Sequence, residues 1–249
     1  MSGANFKKKI LVTGSTGGLG SIIKKSSLNK RCFFPDKQKL NILDKNKIDT
    51  YFKNNKFSII IHCAALARMK DCELNKKKAY QINVKGTENL IKIFKRHNPN
   101  IKFIYISSDA VYPCVNGNYN EYSKLKSYNY YGKTKIMAEK KVKKVKNFLI
   151  IRTRFFNKKK IKFKDAAVDS FSSSIEINLL IRYLKILINK KINGILNVGG
   201  RKISDFNLYK KYKKNLKKTS IQKIQANKKY SLSIDASMNC KKFEKIINA

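Results

Sequence analysis

A tyrosine followed four residues later by a lysine can do proton chemistry when the two lie on a helix. Residues i and i+4 share one helical face, so the ammonium can sit beneath the phenol. An unperturbed phenol has a pKa of about 10 and is a slow acid or base at neutral pH. A neighbouring positive charge favours the phenolate and lowers that value. With a hydroxyl nearby to hold a substrate oxygen, such a pair can give or take a proton along a fixed path. Three pairs have the spacing: Tyr122/Lys126, Tyr131/Lys135 and Tyr209/Lys213. With 13 tyrosines among 57 Lys+Arg, several such pairs arise by chance, so context must choose. Tyr122 falls in a polar loop and Tyr209 in a basic tail, whereas Tyr131 opens a helical stretch.

The elements that would position these side chains are legible as alternating β-type runs and amphipathic stretches. Strands are expected at Lys9–Val12, Cys32–Phe34, Phe57–Cys63, Ile101–Ser107 and Phe148–Arg152. Helices are expected at Leu19–Leu28, Lys45–Asn54, Lys76–His97 and Tyr131–Lys146, the long third one closed by Pro99. Continuous apolar runs flanked by helices imply a parallel sheet covered on both faces. The fold class is therefore α/β: a doubly wound parallel sheet with right-handed crossovers, Rossmann-type. Beyond Arg154 the pattern loosens to a helix at Ile175–Ile188, a late strand at Gly194–Val198 and a lysine-rich tail. The expected division is a dinucleotide-binding domain at 1–155, joined by 175–200. Residues 156–174 and 201–249 would form a small C-terminal substrate cap.

Between the first strand and the first helix stands Gly14-Ser-Thr-Gly17-Gly18-Leu-Gly20. Gly14 permits a tight turn, Gly17 lets backbone approach a pyrophosphate, and Gly20 lets the helix pack closely on the strand. The helix N-terminus then offers free N–H groups and a positive dipole end to phosphates. Strand, turn and helix occur in the order that gives such a motif its meaning.

The GxxGxxG spacing, together with several blocks further along the chain, resembles the extended short-chain dehydrogenase/reductase family. Ile61-His62-Cys63-Ala64-Ala65 is similar to the family's strand-end motif beside the cofactor. Asn83-Val-Lys-Gly86-Thr87-Glu-Asn-Leu90 matches its "NvxGTxNL" helix, and Ile106-Ser-Ser108-Asp109-Ala110-Val-Tyr112 its serine/threonine strand end. Tyr131-Gly-Lys-Thr-Lys135, continuing to Glu139, resembles "YGxSKxxxE". These blocks span Lys9 to Arg152. The resemblance implies that Ser108, Tyr131 and Lys135 are catalytic: Tyr131 as the proton donor, Ser108 holding the substrate oxygen, Lys135 on the cofactor ribose. It implies a dinucleotide held by Gly14, Thr16, Gly17, Gly18, Leu19, Gly20, Lys37, Asn41, Ile42, Ala64, Ala65, Leu66, Tyr131 and Lys135.

Within the family, sugar-nucleotide 4,6-dehydratases place an Asp-Glu pair after the serine/threonine. Here Asp109 is followed by Ala110, which argues against dehydration. "SSDAVY" is instead similar to the "STDYVF" of the dTDP-4-dehydrorhamnose reductase group, and Lys37–Asp44 and Ser231–Lys241 loosely resemble two further segments of that group. Asn41 stands where the group usually has an aspartate, and Lys37 where it has an arginine. A lysine there suits a 2′-phosphate, which tilts the expectation slightly from NAD toward NADP; Asp36 is the only acid near enough to claim a 2′-hydroxyl. The implied activity is reduction of a nucleotide-linked keto sugar by NAD(P)H. A 4-epimerase that retains its NAD and a non-catalytic Rossmann-type binding or regulatory protein are the alternatives.

The net charge of +42 invites a nucleic-acid reading, but only seven of the basic residues are arginine, the side chain suited to bidentate recognition. Abundant Lys, Asn and Ile fit a compositional bias with solvated lysines, so nucleic acid is not expected as a partner. No apolar run reaches the 18–20 residues or so of a membrane span. Five cysteines without a CxxC pair read as reduced thiols in a cytoplasmic protein, with no zinc site. His62 is expected to be structural or cofactor-lining, and His97 to complement a helix dipole. A homodimer is left open.

Overall fold

A computed structural model describes residues 8–228 and 230–248; the polar lead-in Met1–Lys7, Lys229 in the tail and Ala249 lie outside the described residues. In chain order the first half contains β1 (Ile10–Thr13), α1 (Gly18–Lys25), β2 (Cys32–Phe33), α2 (Lys45–Asn54), β3 (Ile59–His62), α3 (Met69–Leu74), α4 (Lys76–Tyr80), α5 (Thr87–His97), β4 (Lys102–Ile106), α6 (Tyr130–Val142) and β5 (Phe148–Arg152). The second half contains β6 (Phe155–Phe156), β7 (Asp165–Ala167), β8 (Phe171–Ser172), β9 (Ile175–Glu176), α7 (Ile177–Asn189), β10 (Gly194–Asn197), β11 (Ile203–Ser204), α8 (Asp205–Lys210), β12 (Lys217–Thr219), α9 (Ile221–Ala226), β13 (Asp235–Ala236) and α10 (Lys241–Asn248).

Six strands form one parallel sheet in the order β10-β5-β4-β3-β1-β2. Successive residues of each buried strand point to opposite faces. Ile10, Val12, Ile59, Ile61, Ile104 and Ile106 meet Leu19 and Ile23 of α1 and Leu180, Leu184 and Leu187 of α7. Leu11, Ile60, Phe103, Tyr105 and Ile150 meet Ile48 and Phe52 of α2, Leu90 and Phe94 of α5, and Val142 of α6. This two-sided burial is why the strands read as unbroken apolar runs. The chain leaves β1 toward β2 and returns past it to β3. The strand order therefore reverses between β1 and β3, where a crevice opens at the carboxyl ends of the strands.

Several expected helices need correction: α1 stops at Lys25, short of Leu28, before a 3-10 turn at Ser27–Arg31, and the first two residues of the expected Ile175–Ile188 helix form β9. Lys76–His97 is not one regular helix: the π-helical turn Gln81–Gly86 separates α4 from α5. That turn sets the buried Asn83 side chain against the neighbouring loop and helix, and Thr87 Oγ1 donates to the Asn83 carbonyl at 2.7 Å. Such a bulge is a common device where a helix serves a site. Helix α6 also ends at Val142, not Lys146, with Lys143 N–H bonded to the Glu139 carbonyl at 2.9 Å. The short helix α3 has no periodic signature strong enough to mark it in the sequence.

Beyond β5 the chain builds three small sheets, β11-β8-β13, β12-β7 and β6-β9; β7 and α8 share a minor core of Ala166, Phe206 and Leu216, while Ile175 of β9 and Ala236 of β13 join the main core. The tail then returns to the main body. Asp235 N–H donates to the Cys114 carbonyl and Asn239 N–H to the Tyr119 carbonyl, and α10 buries Phe243 in the face that also holds α7. No helix among the described residues is long and apolar enough to cross a membrane.

Candidate active site

The glycine turn wraps the carboxyl end of β1. Gly14 has φ +70°, and a Cβ there would lie 2.6 Å from the Ala64 nitrogen, so only glycine fits between the turn and the end of β3. Gly17 N–H donates to the Gly14 carbonyl at 3.0 Å, closing the turn. A Cβ on Gly20 would run into that same carbonyl, which is the close helix–strand packing expected of it. Gly18 has open space around the position of its missing Cβ, and α1 carries no acidic residue in its first turn. Its N-terminal N–H groups thus face a cleft free of competing carboxylates on the helix.

That cleft, of about 250 Å³, is lined by Gly14, Thr16, Gly17, Lys37, Asn41, Ile42, Ala64 and Ala65. Leu19 points into the core, so only its backbone is left for a ligand. Leu66 lies outside the lining, its backbone clamped by Asn83: Leu66 N–H donates to Oδ1 at 2.7 Å and Nδ2 donates to the Leu66 carbonyl at 3.0 Å. Asn83 Nδ2 also donates to Thr134 Oγ1 on α6 at 2.9 Å. One amide thus ties the loop after β3 to the helix bearing Tyr131. The sequence shows the block that contains Asn83 but not this clamping role. Thr13, Ser15, Pro35, Leu40, Cys63 and Ile82 also line the cleft, and none of them is marked as a ligand contact by the glycine motif. The side chain of Asp36 caps the Lys39 N–H at 2.9 Å.

His62 is a structural member of this crevice. Thr87 uses its proton on the Asn83 carbonyl, so its oxygen accepts from His62 Nε2–H at 2.9 Å. Nδ1 then accepts from the Thr13 hydroxyl at 2.6 Å. Burial, reinforced by the charge of Lys135, pushes the imidazole pKa down to about 3 and keeps the ring neutral.

Ser108, Tyr131 and Lys135 converge at the carboxyl end of β4. Ser108 comes just after the strand and caps a 3-10 turn, Asp109–Val111. Asn129 caps α6 by accepting the Gly132 N–H at 2.8 Å; the Glu73 carboxylate accepts the Tyr130 N–H at 2.6 Å. Gly132 is required because a Cβ there would strike the Ala110 carbonyl. Lys135 is buried, donates to the Ile106 carbonyl at 2.7 Å, and lies 4.5 Å from the Tyr105 ring centroid and 5.9 Å from that of Tyr131. Burial lowers its pKa to about 8, against the opposing influence of Cys63, Glu139 and Cys72.

Tyr131 departs from expectation in one respect. Its phenol is raised above the ordinary value, first by burial and then by the Asp109 charge, with a Ser108 hydrogen bond pulling the other way. The Lys135 ammonium, bonded to the Ile106 carbonyl and 5.9 Å from the Tyr131 ring centroid, does not outweigh burial, so the phenol favours its protonated form.

Behind this corner lies a buried ion pair. Arg152 and Glu139, each about 1% exposed, are joined through Nε–Oε1 at 3.0 Å and Nη2–Oε2 at 2.7 Å. Ser107 Oγ donates to the same carboxylate at 2.6 Å, and Arg152 Nη1 donates to the Tyr112 hydroxyl at 2.8 Å. The pair locks α6 to the ends of β4 and β5. Among the described residues no metal-ligand cluster occurs.

Fold and crevice together define a Rossmann-type α/β protein with a dinucleotide-shaped turn. The chain belongs to the RmlD substrate binding domain family, whose pattern it matches over residues 8–178. It superposes on a dTDP-4-dehydrorhamnose reductase from Bacillus anthracis in complex with NADP with a TM-score of 0.87 at 21% identity, covering 96% of this chain and 93% of that one. A hypothetical dTDP-4-dehydrorhamnose reductase from Sulfolobus tokodaii superposes with a TM-score of 0.82 at 25% identity, covering 96% and 94%. Over 144 residues the chain is 34% identical to methionine adenosyltransferase 2 subunit beta of Pongo abelii, 54% of this chain and 42% of that protein. The chain thus spans less than half the length of the curated relatives it matches.

Proposed function

We propose that this chain is an NAD(P)-dependent reductase of a nucleotide-linked keto sugar. The observation that carries the reading is the meeting of Ser108, Tyr131 and Lys135 beside the glycine-turn crevice, where hydride acceptor and proton donor have to be adjacent. The crevice suits a dinucleotide: a positive-φ glycine, a turn with no Cβ at Gly17 and Gly18, and a helix N-terminus without carboxylates. NAD(P)H, when bound, supplies the hydride. Lys37 and Asn41 meet the adenosine end, with Lys37 favouring a 2′-phosphate and hence, slightly, NADP.

Tyr131 then gives its phenolic proton to the alkoxide oxygen formed at the keto carbon, and its protonated resting state suits that direction. Ser108 holds the same oxygen in line. Lys135, held by the Ile106 carbonyl, presents its remaining N–H donors toward the ribose. The cap segments of 156–174 and 201–228 lie on the side where the sugar would be enclosed, while the end of the chain, with α10, packs on the main body. A dehydratase route lacks its second carboxylate at Ala110, and five free thiols suit a reducing cytoplasm.

Purified protein with NADPH and a dTDP-4-keto sugar should lose absorbance at 340 nm. Tyr131→Phe should lower kcat by roughly 10²- to 10⁴-fold, a loss far larger than any change in NADPH affinity read by fluorescence titration. Inactivity of the unaltered protein across several keto-sugar nucleotides sinks the reading. One observation favours a second reading, a Rossmann-type binding subunit: the 34% identical relative is named as a subunit of another enzyme. On that reading, Tyr131→Phe leaves a cellular phenotype intact.

A further inference from the structure

The proposed chemistry leaves one charged pair of the reacting corner unused. Asp109 is buried, and both its oxygens are engaged: Ser108 Oγ donates to Oδ1 at 3.0 Å, and Arg154 Nε lies 2.5 Å from Oδ2. A hydroxyl has one proton and two lone pairs. With its proton committed to Asp109, Ser108 is an acceptor toward its other neighbours, including the Ala110 N–H at 3.2 Å. The state of Asp109 therefore decides which way the Ser108 hydroxyl points.

Arg154 decides the state of Asp109. Burial raises this carboxyl, and the guanidinium is the largest opposing influence; the other charged or titratable groups around the pair are Tyr128, Tyr131, Cys114, Asp205 and Tyr209. Without the cation a buried carboxyl takes up a proton. It would then donate to Ser108 and turn that hydroxyl around. The same guanidinium reaches across the molecule: Nη2 donates to Ser233 Oγ at 3.2 Å, Ser170 Oγ donates to the Ser233 carbonyl at 3.1 Å, and Asp205 N–H donates to the Ser170 carbonyl.

We propose that Arg154 is a positioning residue with two tasks: through Asp109 it fixes the Ser108 hydroxyl with its proton toward Oδ1, and through Ser233 it fastens that corner to the C-terminal segment. The first task rests on the reductase reading; the second does not. Tyr131 is then the sole hydroxyl donor to the nascent alkoxide until substrate draws Ser108 away from Asp109.

The test compares Arg154→Met, Arg154→Lys, Ser233→Ala and the double variant Asp109→Asn/Arg154→Met in the full chain. Arg154→Met should lower kcat with a dTDP-4-keto sugar by about 100-fold, with a smaller change in KM and with NADPH affinity held within about twofold. Arg154→Lys should restore part of kcat. The double variant should be no slower than Arg154→Met alone, because the two side chains act as one unit. Amide hydrogen exchange across residues 231–238 should rise about tenfold or more in Arg154→Met and in Ser233→Ala. A kcat within about threefold of the starting protein, or additive losses in the double variant, overturns the first task. Unchanged exchange in 231–238 overturns the second, and does so whether or not the protein reduces a sugar. If Arg154→Met does not fold, Ser233→Ala carries the exchange measurement and Arg154→Lys the kinetic one.

Discussion

The crevice between β1 and β3 and the polar corner facing the C-terminal segment are built by different means. In the crevice, shape comes from backbone: a positive-φ Gly14 against Ala64, a turn closed by the Gly14 carbonyl, helix N–H groups left open. Its side-chain ties, such as Thr13–His62–Thr87, join the adjacent strands β1 and β3 to the helix α5 that covers them. The corner is held by single contacts between distant points of the chain: Arg154 with Ser233, 79 residues apart, Ser170 with Ser233, 63 apart, and Ser173 with Met238, 65 apart. Backbone-built sites should tolerate most single substitutions at their rim, while side-chain-built ones should fail at once. Three changes probe that difference, beginning with the largest.

Glu139→Gln strikes the buried pair that locks α6 to the ends of β4 and β5. Removing one charge of a buried pair leaves Arg152 uncompensated, which typically costs about 3–5 kcal/mol. Urea unfolding should register most of that loss, and Tyr131 should be misplaced along with α6. Replacing Arg152 and Glu139 together by Met and Leu should cost less than Glu139→Gln alone, because no buried charge remains. Equal losses for both would mean the pair is solvated in solution and does not lock α6 to the sheet.

The unequal construction also accounts for what the sequence discloses. The four inner strands β1, β3, β4 and β5, the glycine turn and the helix face of Tyr131 and Lys135 depend on local spacing or on apolar runs, and all are readable. The β2 and β10 edges are legible because turn and apolar signals bracket them. The cap does not resolve into elements, because its strands are two or three residues long and their pairing depends on hydroxyl contacts with no sequence period. Arg154 gives no signal beyond its position in an unusually basic segment, and Asp109 is informative in the sequence only through its neighbour Ala110. The upward shift of Tyr131 depends on burial and on Asp109, neither of which spacing reveals.

Acid should weaken the crevice in a window of its own. The His62 pKa is depressed to about 3 in the folded chain, against about 6.5 when unfolded. The unfolded chain binds the extra proton first, so this contribution is fully present above pH 6.5 and is lost as pH falls toward 3. Between about pH 6.5 and 4.5 most carboxylates remain ionised, which isolates the imidazole. Stability over that interval should fall by about 2–3 kcal/mol, at 1.4 kcal/mol per unit. His62→Gln should flatten the slope there, even if the variant is less stable overall. A slope that persists in His62→Gln would place the titrating group elsewhere.

The smallest effect belongs to Lys37, on the exposed rim of the crevice. One lysine meeting a 2′-phosphate in high-dielectric surroundings should be worth about 1 kcal/mol. Lys37→Ala should therefore weaken NADPH binding by about five- to tenfold while leaving NADH alone. The NADPH advantage should also shrink in high salt for the original protein, because an exposed contact is screened, and should be insensitive to salt in the variant. The glycine turn and Ala64 are untouched by this change, so the dinucleotide itself should still bind. If Lys37→Ala weakens NADH as much as NADPH, the side chain shapes the crevice rather than reading a phosphate. The backbone-built half would then depend on a single side chain just as the polar corner does.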